Sequence, residues 1–321
     1  MTTLQPTRSS GIGLVFPGQG SQSVGMGRAL AEAYPNLRSL YEEASSVLGY
    51  DIAGLCFDGP AAQLNLTEYT QPALLVSSIA ALRVFEPLDI TPIAVAGHSL
   101  GEYSALVAAQ GMTYPEAVAI VQKRGRYMAE AVPSGTGLVA ALLGLTEDVV
   151  KEVCRDASAV GVVAAANFNS PGQIVIAGEK AAVERAIELA KAKGCKKAIA
   201  LPVSVPVHTP LMQKAADRLA GDLTAITWSD LKIPLINNAE ARAITKASDI
   251  QASLVRQLPS SVLWEDSVKA MASMGVTTFV EVGPGTVLSG LIKRILPEAA
   301  TMSVNDPKSL EATVKTLNVY R

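Results

Sequence analysis

The most restrictive feature of the sequence is a serine enclosed by glycines between an apolar run and a helix. Residues 97–101 read G-H-S-L-G, which fits the G-x-S-x-G pattern, and they follow the buried-strand run 93–96. Small flanking residues allow a sharp strand-to-helix turn that exposes the serine hydroxyl, and the helix N-terminus directs backbone N–H groups towards a developing oxyanion. The pattern predicts that Ser99 is a nucleophile. The alternative is a glycine-rich turn whose serine only caps the helix.

Strands that alternate with helices along the chain predict an α/β fold with a mostly parallel sheet. Predicted strands lie at 11–16, 93–96, 234–237 and 278–282, and predicted helices at 26–48, 72–85, 102–110, 113–131, 209–223, 250–258, 264–274 and 287–295. The segment between them follows the ferredoxin-like order of strand, helix, two strands, helix and strand, at 138–143, 146–157, 162–167, 173–177, 179–193 and 197–203. We therefore expect a large α/β catalytic domain formed by 1–131 and 204–321, with a ferredoxin-like small domain inserted at 132–203.

Composition excludes several classes of function. The chain has 27 Lys and Arg against 29 Asp and Glu, a net charge of −2, so no basic surface is expected to recruit nucleic acid. The polar first ten residues lack an export signal, and no apolar run of 18 residues occurs, so we expect no membrane association. The three cysteines, Cys56, Cys154 and Cys195, show neither disulfide nor zinc spacing. We expect a cytoplasmic protein without a metal.

A serine nucleophile needs a base, and the sequence has only two histidines. His98 adjoins the serine, and its side chain should diverge from Ser99 at so tight a turn. His208 follows the apolar run 203–207, in a strand-end loop where catalytic groups often lie, and is predicted to be the general base. The alternative is a structural histidine. No carboxylate between Ser99 and His208 stands out as an orienting group, and a backbone carbonyl could fix the tautomer instead.

Arg124 lies on the helix that follows the nucleophile's helix. Its four neighbours three and four positions away are Ile120, Val121, Tyr127 and Met128, of which none is acidic and three are apolar. A cation on such a face is costly unless something pairs with it, and the planar guanidinium can hold a carboxylate through two bonds. Arg124 is therefore predicted to bind an anionic ligand. The alternative is that it reaches solvent or pairs with a distant acid.

Seven motifs together resemble one known family. They are F-P-G-Q-G-S-Q at 16–22, G-H-S-L-G-E-Y-S-A-L at 97–106, Q-K-R-G at 122–125, N-F-N-S-P-G-Q at 167–173, V-S-V-P-V-H at 203–208, R-Q-L at 256–258 and E-V-G-P-G at 281–285. This ordered set spans nearly the whole chain and resembles the bacterial malonyl-CoA:acyl carrier protein transacylases of type II fatty acid synthesis. The resemblance implies a hydrolase-like large domain with the ferredoxin-like insert as its lid.

The resemblance also implies roles and partners. The motif serine would accept malonyl from malonyl-CoA and pass it to the thiol of acyl carrier protein, with His208 as base. Arg124 would bind the malonyl carboxylate. Gln19 and the backbone N–H of Leu100 would form the oxyanion hole, and the backbone carbonyl of Gln257 would orient the histidine. No cofactor is implied, since the coenzyme A thioester is a substrate.

The sequence departs from the family at positions that border the implied site. Val207 and Thr209 flank the histidine where the family more often has a serine before it and a small or thiol residue after it, and 259–261 read P-S-S where an aromatic residue and asparagine are common. These differences bear on fine acyl preference.

Four lysines could contact an acidic carrier protein: Lys191, Lys193, Lys196 and Lys197. The alternative is that they only interact with the helix dipole, which favours cations at a helix C-terminus.

Three rival functions share part of this pattern. A serine esterase or thioesterase would use the same nucleophile but release the acyl group to water. A malonyltransferase that serves polyketide assembly would differ in its carrier and not in its chemistry. A non-catalytic acyl-binding protein would not need Ser99 and His208 at loop positions.

Overall fold

The computed structural model describes residues 11–88, 90–133, 135–201 and 205–317. Its strands are β1 Ile12–Phe16, β2 Ala94–Gly97, β3 Gly137–Leu143, β4 Val163–Ser170, β5 Gln173–Glu179, β6 Lys197–Ala200, β7 Leu235–Ile236, β8 Ala243–Ile244, β9 Thr278–Val282 and β10 Ala300–Val304. Its α-helices are α1 Arg28–Ala33, α2 Arg38–Leu48, α3 Ile52–Asp58, α4 Ala61–Leu64, α5 Thr67–Phe85, α6 Gly101–Ala108, α7 Tyr114–Glu130, α8 Glu147–Ala157, α9 Lys180–Ala192, α10 Gln213–Leu223, α11 Ala247–Gln257, α12 Trp264–Ser273, α13 Val287–Ile295 and α14 Pro307–Thr316.

A six-stranded sheet carries the candidate site. Its strand order is β10-β9-β1-β2-β7-β8, and all neighbours are parallel except β7 and β8. β1 reads I-G-L-V-F and is buried along its whole length, as expected for a parallel strand covered on both faces. β2 lies between β1 and β7, so the serine that follows β2 emerges near the middle of the sheet.

Helices cover both faces of this sheet. On one face α5 is buried on nearly all sides and packs against α6 and α7, which explains why its sequence is apolar all round rather than in a stripe. On the other face α12 and α13 contribute Trp264, Val268 and Leu291 to a second apolar core with Phe279 of β9. The sheet that carries the candidate site is thus held between two packed layers of helices.

A second, antiparallel sheet forms from the inserted segment. Its strand order is β4-β5-β3-β6, and helices α8 and α9 pack against it around a separate apolar core that includes Val150, Ile176 and Ala186. The predicted order of strands and helices in this segment is found. The predicted end of the last strand at Val203 and the predicted boundary between 203 and 204 lie outside the described residues.

Hydrogen bonds link β4, at the edge of the antiparallel sheet, to the segment that lies between α11 and α12. Phe168 N donates to Val262 O at 2.9 Å, and Val262 N donates to Ala166 O at 2.8 Å. Ser261 Oγ adds a bond to Ala165 O at 2.6 Å. Strand β4 is therefore tied by backbone and side chain to the segment that follows α11.

Several predicted elements have different limits in the structure. The single helix predicted at 26–48 is divided into α1, a 3₁₀ turn at Pro35–Leu37 and α2, because proline removes an N–H and disfavours helical geometry at Tyr34. α5 begins at Thr67 rather than at Pro72. β10 and α14 have no counterpart among the predicted elements.

Within the described ranges no helix is long and apolar enough to span a bilayer.

Candidate active site

The turn after β2 places Ser99 at a sharp bend. Ser99 has a φ of 51°, in the left-handed region that non-glycine residues rarely occupy. A Cβ on Gly97 would lie 1.9 Å from the carbonyl carbon of Gly101, and a Cβ on Gly101 would lie 2.1 Å from Phe16 O. Both glycines are thus required for the turn to form, and the strained serine is held at the start of α6.

Ser99 and His208 are in direct contact although 109 positions separate them. Ser99 Oγ lies 2.7 Å from His208 Nε2. His208 Nδ1 faces two backbone carbonyl oxygens, Gln257 O at 3.0 Å and Ser260 O at 3.1 Å. Because carbonyl oxygens only accept, the ring proton belongs on Nδ1, and Nε2 is left to accept the serine proton.

The surroundings of His208 keep its imidazole neutral. The side chain is 2% exposed, and this burial lowers its pKa from 6.5 to about 3, with the nearby positive charge of Arg124 acting in the same direction. The bonds to Gln257 O and Ser260 O oppose the shift only in part. A neutral imidazole beside the serine is the form that can accept a proton.

Arg124 reaches the same point from α7 and is completely buried. Its Nη1 donates to Gln71 Oε1 at 2.7 Å, and its Nη2 donates to Gln257 Oε1 at 3.0 Å and to Ser99 Oγ at 3.1 Å. The guanidinium also lies 5.5 Å from the ring centre of Tyr103. In the four described ranges no carboxylate forms an ion pair with Arg124, and each of its hydrogen-bond acceptors is a neutral group.

Gln19 and His98 complete the surroundings of the serine. Gln19 Nε2 donates to Thr67 Oγ1 at 3.2 Å, and its side chain lines the cavity above Ser99. His98 binds away from the serine: its Nε2 lies 2.9 Å from Asn169 Oδ1 of β4, and its ring contacts a tryptophan of α12. The histidine beside the nucleophile therefore links the turn to the second sheet.

One small cavity of about 90 Å³ joins Ser99, His208 and Arg124. Leu100 also lines it, and Val139 and Val175 of the antiparallel sheet form part of its apolar wall. A larger groove of about 990 Å³ lies against α1, α2 and α3, and none of the predicted site residues lines it. The cavity beside Ser99 is therefore the candidate active site.

Sequence reasoning missed Asn238, which braces the serine turn. Asn238 Oδ1 accepts from Ser99 N at 2.6 Å, and its Nδ2 donates to Gly97 O at 2.7 Å. Asn238 follows β7, the neighbour of β2 in the sheet. A polar residue at the carboxyl end of a strand beside the nucleophile's strand was the available signal.

Sequence reasoning also assigned no task to Glu102, in the first turn of α6. It is completely buried, and its Oε2 accepts from Asn238 N and from Gln257 Nε2, each at 2.9 Å. Burial raises the pKa of Glu102 to about 7, while its hydrogen-bond donors and the charge of Arg124 oppose the rise. An acid placed among apolar neighbours on a buried helix was the available signal.

The sequence of this chain is also similar to those of known proteins. The family model described as the acyl transferase domain matches residues 14–309. The malonyl CoA-acyl carrier protein transacylase of Escherichia coli K12 is 48% identical over 302 residues, which cover 94% of this chain and 98% of that protein. The chain belongs to this family of acyltransferases. The Bacillus subtilis protein of the same name is 47% identical over 309 residues, covering 96% and 98% of the two chains.

Solved structures of the family have the same fold. The malonyl-CoA:acyl carrier protein transacylase of Xanthomonas oryzae superposes with a TM-score of 0.94 at 45% identity, covering 96% of this chain and 98% of that one. A malonyl-transacylase in complex with a type II PKS acyl-carrier protein superposes with a TM-score of 0.93, also at 45% identity, covering 96% and 100%. The family fold of this chain is thus a mostly parallel sheet joined to a second, antiparallel sheet.

The residues that depart from the family pattern lie around the histidine. Val207 lines the cavity, and Thr209 Oγ1 donates to Pro206 O at 2.7 Å. Ser260 contributes a backbone oxygen to His208.

Within the described part of the chain, no group of three or more His, Cys, Asp or Glu side chains is placed to hold a metal ion.

Proposed function

We propose that this transacylase moves a malonyl group from malonyl-CoA to the phosphopantetheine thiol of acyl carrier protein, in fatty acid biosynthesis. The observation that carries the proposal is the meeting of Ser99, His208 and Arg124 in one cavity. Ser99 Oγ lies 2.7 Å from Nε2 of the neutral His208 and 3.1 Å from Nη2 of the Arg124 guanidinium. The family relationship adds the substrates that relatives are named for.

The reaction runs in two matched halves. His208 Nε2 takes the Ser99 proton while Oγ attacks the thioester carbonyl, an O–C bond forms and the C–S bond breaks. The departing thiolate receives the proton from His208, and malonyl stays on the serine. The carrier thiol then attacks the acyl-serine by the reverse path, with its proton passing through His208 to Oγ. This sequence predicts ping-pong kinetics and uses only protein groups and the two thiols.

We assign the oxyanion hole to Gln19 and the backbone N–H of Leu100. Leu100 begins the turn into α6, where N–H groups lack partners within the helix, and Gln19 borders the same cavity. Loss of one such donor typically costs roughly 10²–10³ in rate. The backbone carbonyl of Gln257 takes the orienting role that an acid performs in a serine triad.

Arg124 is assigned to the malonyl carboxylate. In malonyl-CoA a single methylene group separates that carboxylate from the thioester carbonyl. Arg124 Nη2 lies 3.1 Å from Ser99 Oγ, the oxygen that becomes acylated, and is therefore within reach of the carboxylate. A buried guanidinium that has no ion-pair partner among the described residues favours an anionic acyl group over acetyl, because the substrate supplies the missing charge.

We further propose a hydrolase-like domain of 1–131 and 204–321 with a ferredoxin-like insert of 132–203. Support comes from the mostly parallel sheet and from the antiparallel order β4-β5-β3-β6.

A cytoplasmic location suits the three free cysteines. For carrier docking, Lys193 already pairs with Glu152 at 2.9 Å, so the exposed Lys191, Lys196 and Lys197 are the better candidates.

Two other functions of the same site differ in the acceptor. A thioesterase would release malonate to water, whereas the small cavity, with Val139 and Val175 in its wall, favours transfer because it leaves little room for water. A polyketide carrier is the second candidate, since a relative of 45% identity is described in complex with a type II PKS acyl-carrier protein.

The test is a transfer assay with wild type and Ser99→Ala. Intact-mass analysis after mixing with malonyl-CoA should show one malonyl group on wild type and none on the variant. Malonyl should then appear on added holo carrier protein, faster than free malonate. An unmodified wild-type chain would refute the acyl-serine scheme, and malonate release that ignores the carrier would favour the thioesterase. Fatty acid and polyketide carriers are compared in parallel.

A further inference from the structure

Glu102 is a buried acid that the proposed mechanism leaves without a task. It is completely buried at the start of α6, and its Oε2 accepts two hydrogen bonds, from Asn238 N and from Gln257 Nε2. Its Oε1 has no partner among the described residues. Burying a carboxylate is costly, so its presence beside the nucleophile requires a physical reason.

The side-chain amide of Gln257 connects Glu102 to Arg124. Gln257 Nε2 donates to Glu102 Oε2 and to Ser99 O, each at 2.9 Å, and its Oε1 accepts from Arg124 Nη2 at 3.0 Å. A carboxylate and a carbonyl only accept, so the NH₂ end of the amide must face them. The amide oxygen is then the end that meets the guanidinium.

This arrangement keeps Arg124 available. A carboxylate in direct contact would occupy the guanidinium and compete with the carboxylate of the acyl donor. The interposed amide gives Arg124 a neutral acceptor that holds Nη2 beside Ser99 Oγ. With the amide reversed, two donors would face each other and Arg124 would lose that hold.

We propose that Glu102 is a positioning residue for malonyl selectivity, which acts by fixing the Gln257 amide so that its oxygen faces Arg124. This inference rests on the proposed malonyl transfer. Its distinguishing consequence is that loss of the Glu102 acceptor weakens the use of malonyl-CoA more than the use of acetyl-CoA. A purely structural role would lower both by the same factor.

The experiment measures kcat/KM for malonyl-CoA and acetyl-CoA, with active serine counted by a fluorophosphonate. Glu102→Leu removes the acceptor and fills the volume, and Glu102→Ala is the second form. Each should lower the malonyl/acetyl ratio on the order of tenfold, the scale of coupling within one hydrogen-bond network. Glu102→Gln keeps an acceptor oxygen at the same reach and should stay within about threefold of wild type.

Glu281→Ala is the matched control. Glu281 is equally buried but accepts from Leu288 N and from the N–H and hydroxyl of Ser289, none of which belongs to this network. Its loss should lower stability and leave the malonyl/acetyl ratio unchanged. A ratio that falls equally in the Glu281 and Glu102 variants would overturn the positioning role.

A double-mutant cycle with Arg124→Ala separates this inference from the proposed function. Arg124→Ala alone should reduce the ratio, and adding Glu102→Leu should then change it no further. If Arg124→Ala leaves the ratio intact, the malonyl assignment itself fails. If Arg124→Ala lowers it but Glu102→Leu and Glu102→Ala do not, or if Glu102→Gln falls as far as Glu102→Leu, only the role of Glu102 is overturned.

Discussion

The neutral state of His208 predicts an acylation rate that persists into acid. An imidazole with the ordinary pKa of 6.5 would be about 3% neutral at pH 5.0 and about 90% neutral at pH 7.5, so the rate of serine attack would fall about 30-fold between them. Burial and Arg124 lower the pKa of His208 to about 3, which leaves the ring neutral at both values. The rate should therefore change by less than about twofold.

The assay is the second-order rate of inactivation by phenylmethylsulfonyl fluoride, which is uncharged and so adds no ionisation of its own. Folding must be checked by circular dichroism at each pH. Between about pH 3 and 6.5, His208 binds more protons in the unfolded chain than in the folded one, so its contribution to stability is lost as pH falls through that window. A tenfold or larger fall at pH 5.0 with the fold intact would refute the argument.

Arg124→Ala provides a second arm of the same experiment. Its positive charge is the second cause of the lowered pKa of His208, after burial, so its removal should raise that pKa. The acid limb of the inactivation profile, normalised to the rate at pH 7.5, should move to higher pH. An unchanged limb would show that the charge of Arg124 does not act on His208.

Three further predictions concern single sites. Arg124→Ala should lower kcat/KM for malonyl-CoA by about two to three orders of magnitude, and an equal loss for acetyl-CoA would contradict the assignment of Arg124 to the malonyl carboxylate. Asn238→Ala leaves two backbone groups of the serine turn unpaired and should cost about 2–5 kcal/mol in urea unfolding; a loss under about 1 kcal/mol would contradict it. Gly125→Ala places a Cβ 2.8 Å from Glu68 Cα and should destabilise by about 1–3 kcal/mol, unlike Gly221→Ala, which meets nothing within 4 Å.

The parts of the site that local chemistry dictates could be predicted from the sequence. A G-x-S-x-G motif between an apolar run and a helix specifies a strand, a tight turn and a helix start, and Ser99 lies at such a turn. With only two histidines, and His98 too close to turn back, His208 was the single candidate for a contact with the serine. The predicted helix at 113–131 is likewise found as α7, because Thr113 and Glu116 are residue types that form a capping box at a helix start.

The parts that depend on tertiary packing could not be predicted. Asn238 follows a predicted strand, which is a signal for a site residue, but its contact with Ser99, 139 positions away, depends on the pairing of β7 with β2, which no local pattern specifies. The partners of Arg124 are amide oxygens of Gln71 and Gln257, neutral groups that charge patterning does not reveal. Arg124 could be singled out by its lack of a local acid, but the way its burial is tolerated depends on the fold.

The short segment 257–262 explains why the chain tolerates departures from the family pattern beside its histidine. Gln257 and Ser260 hold His208 through backbone oxygens, which any side chain would supply. The same segment fixes β4 by backbone bonds at Val262 and by the hydroxyl of Ser261 on Ala165 O. Orientation of the base is thus insensitive to sequence here, whereas one bond to the second sheet depends on a hydroxyl at 261. Because that sheet forms part of the acyl cavity's wall, variation at 261 should alter acyl preference while leaving the serine–histidine contact in place.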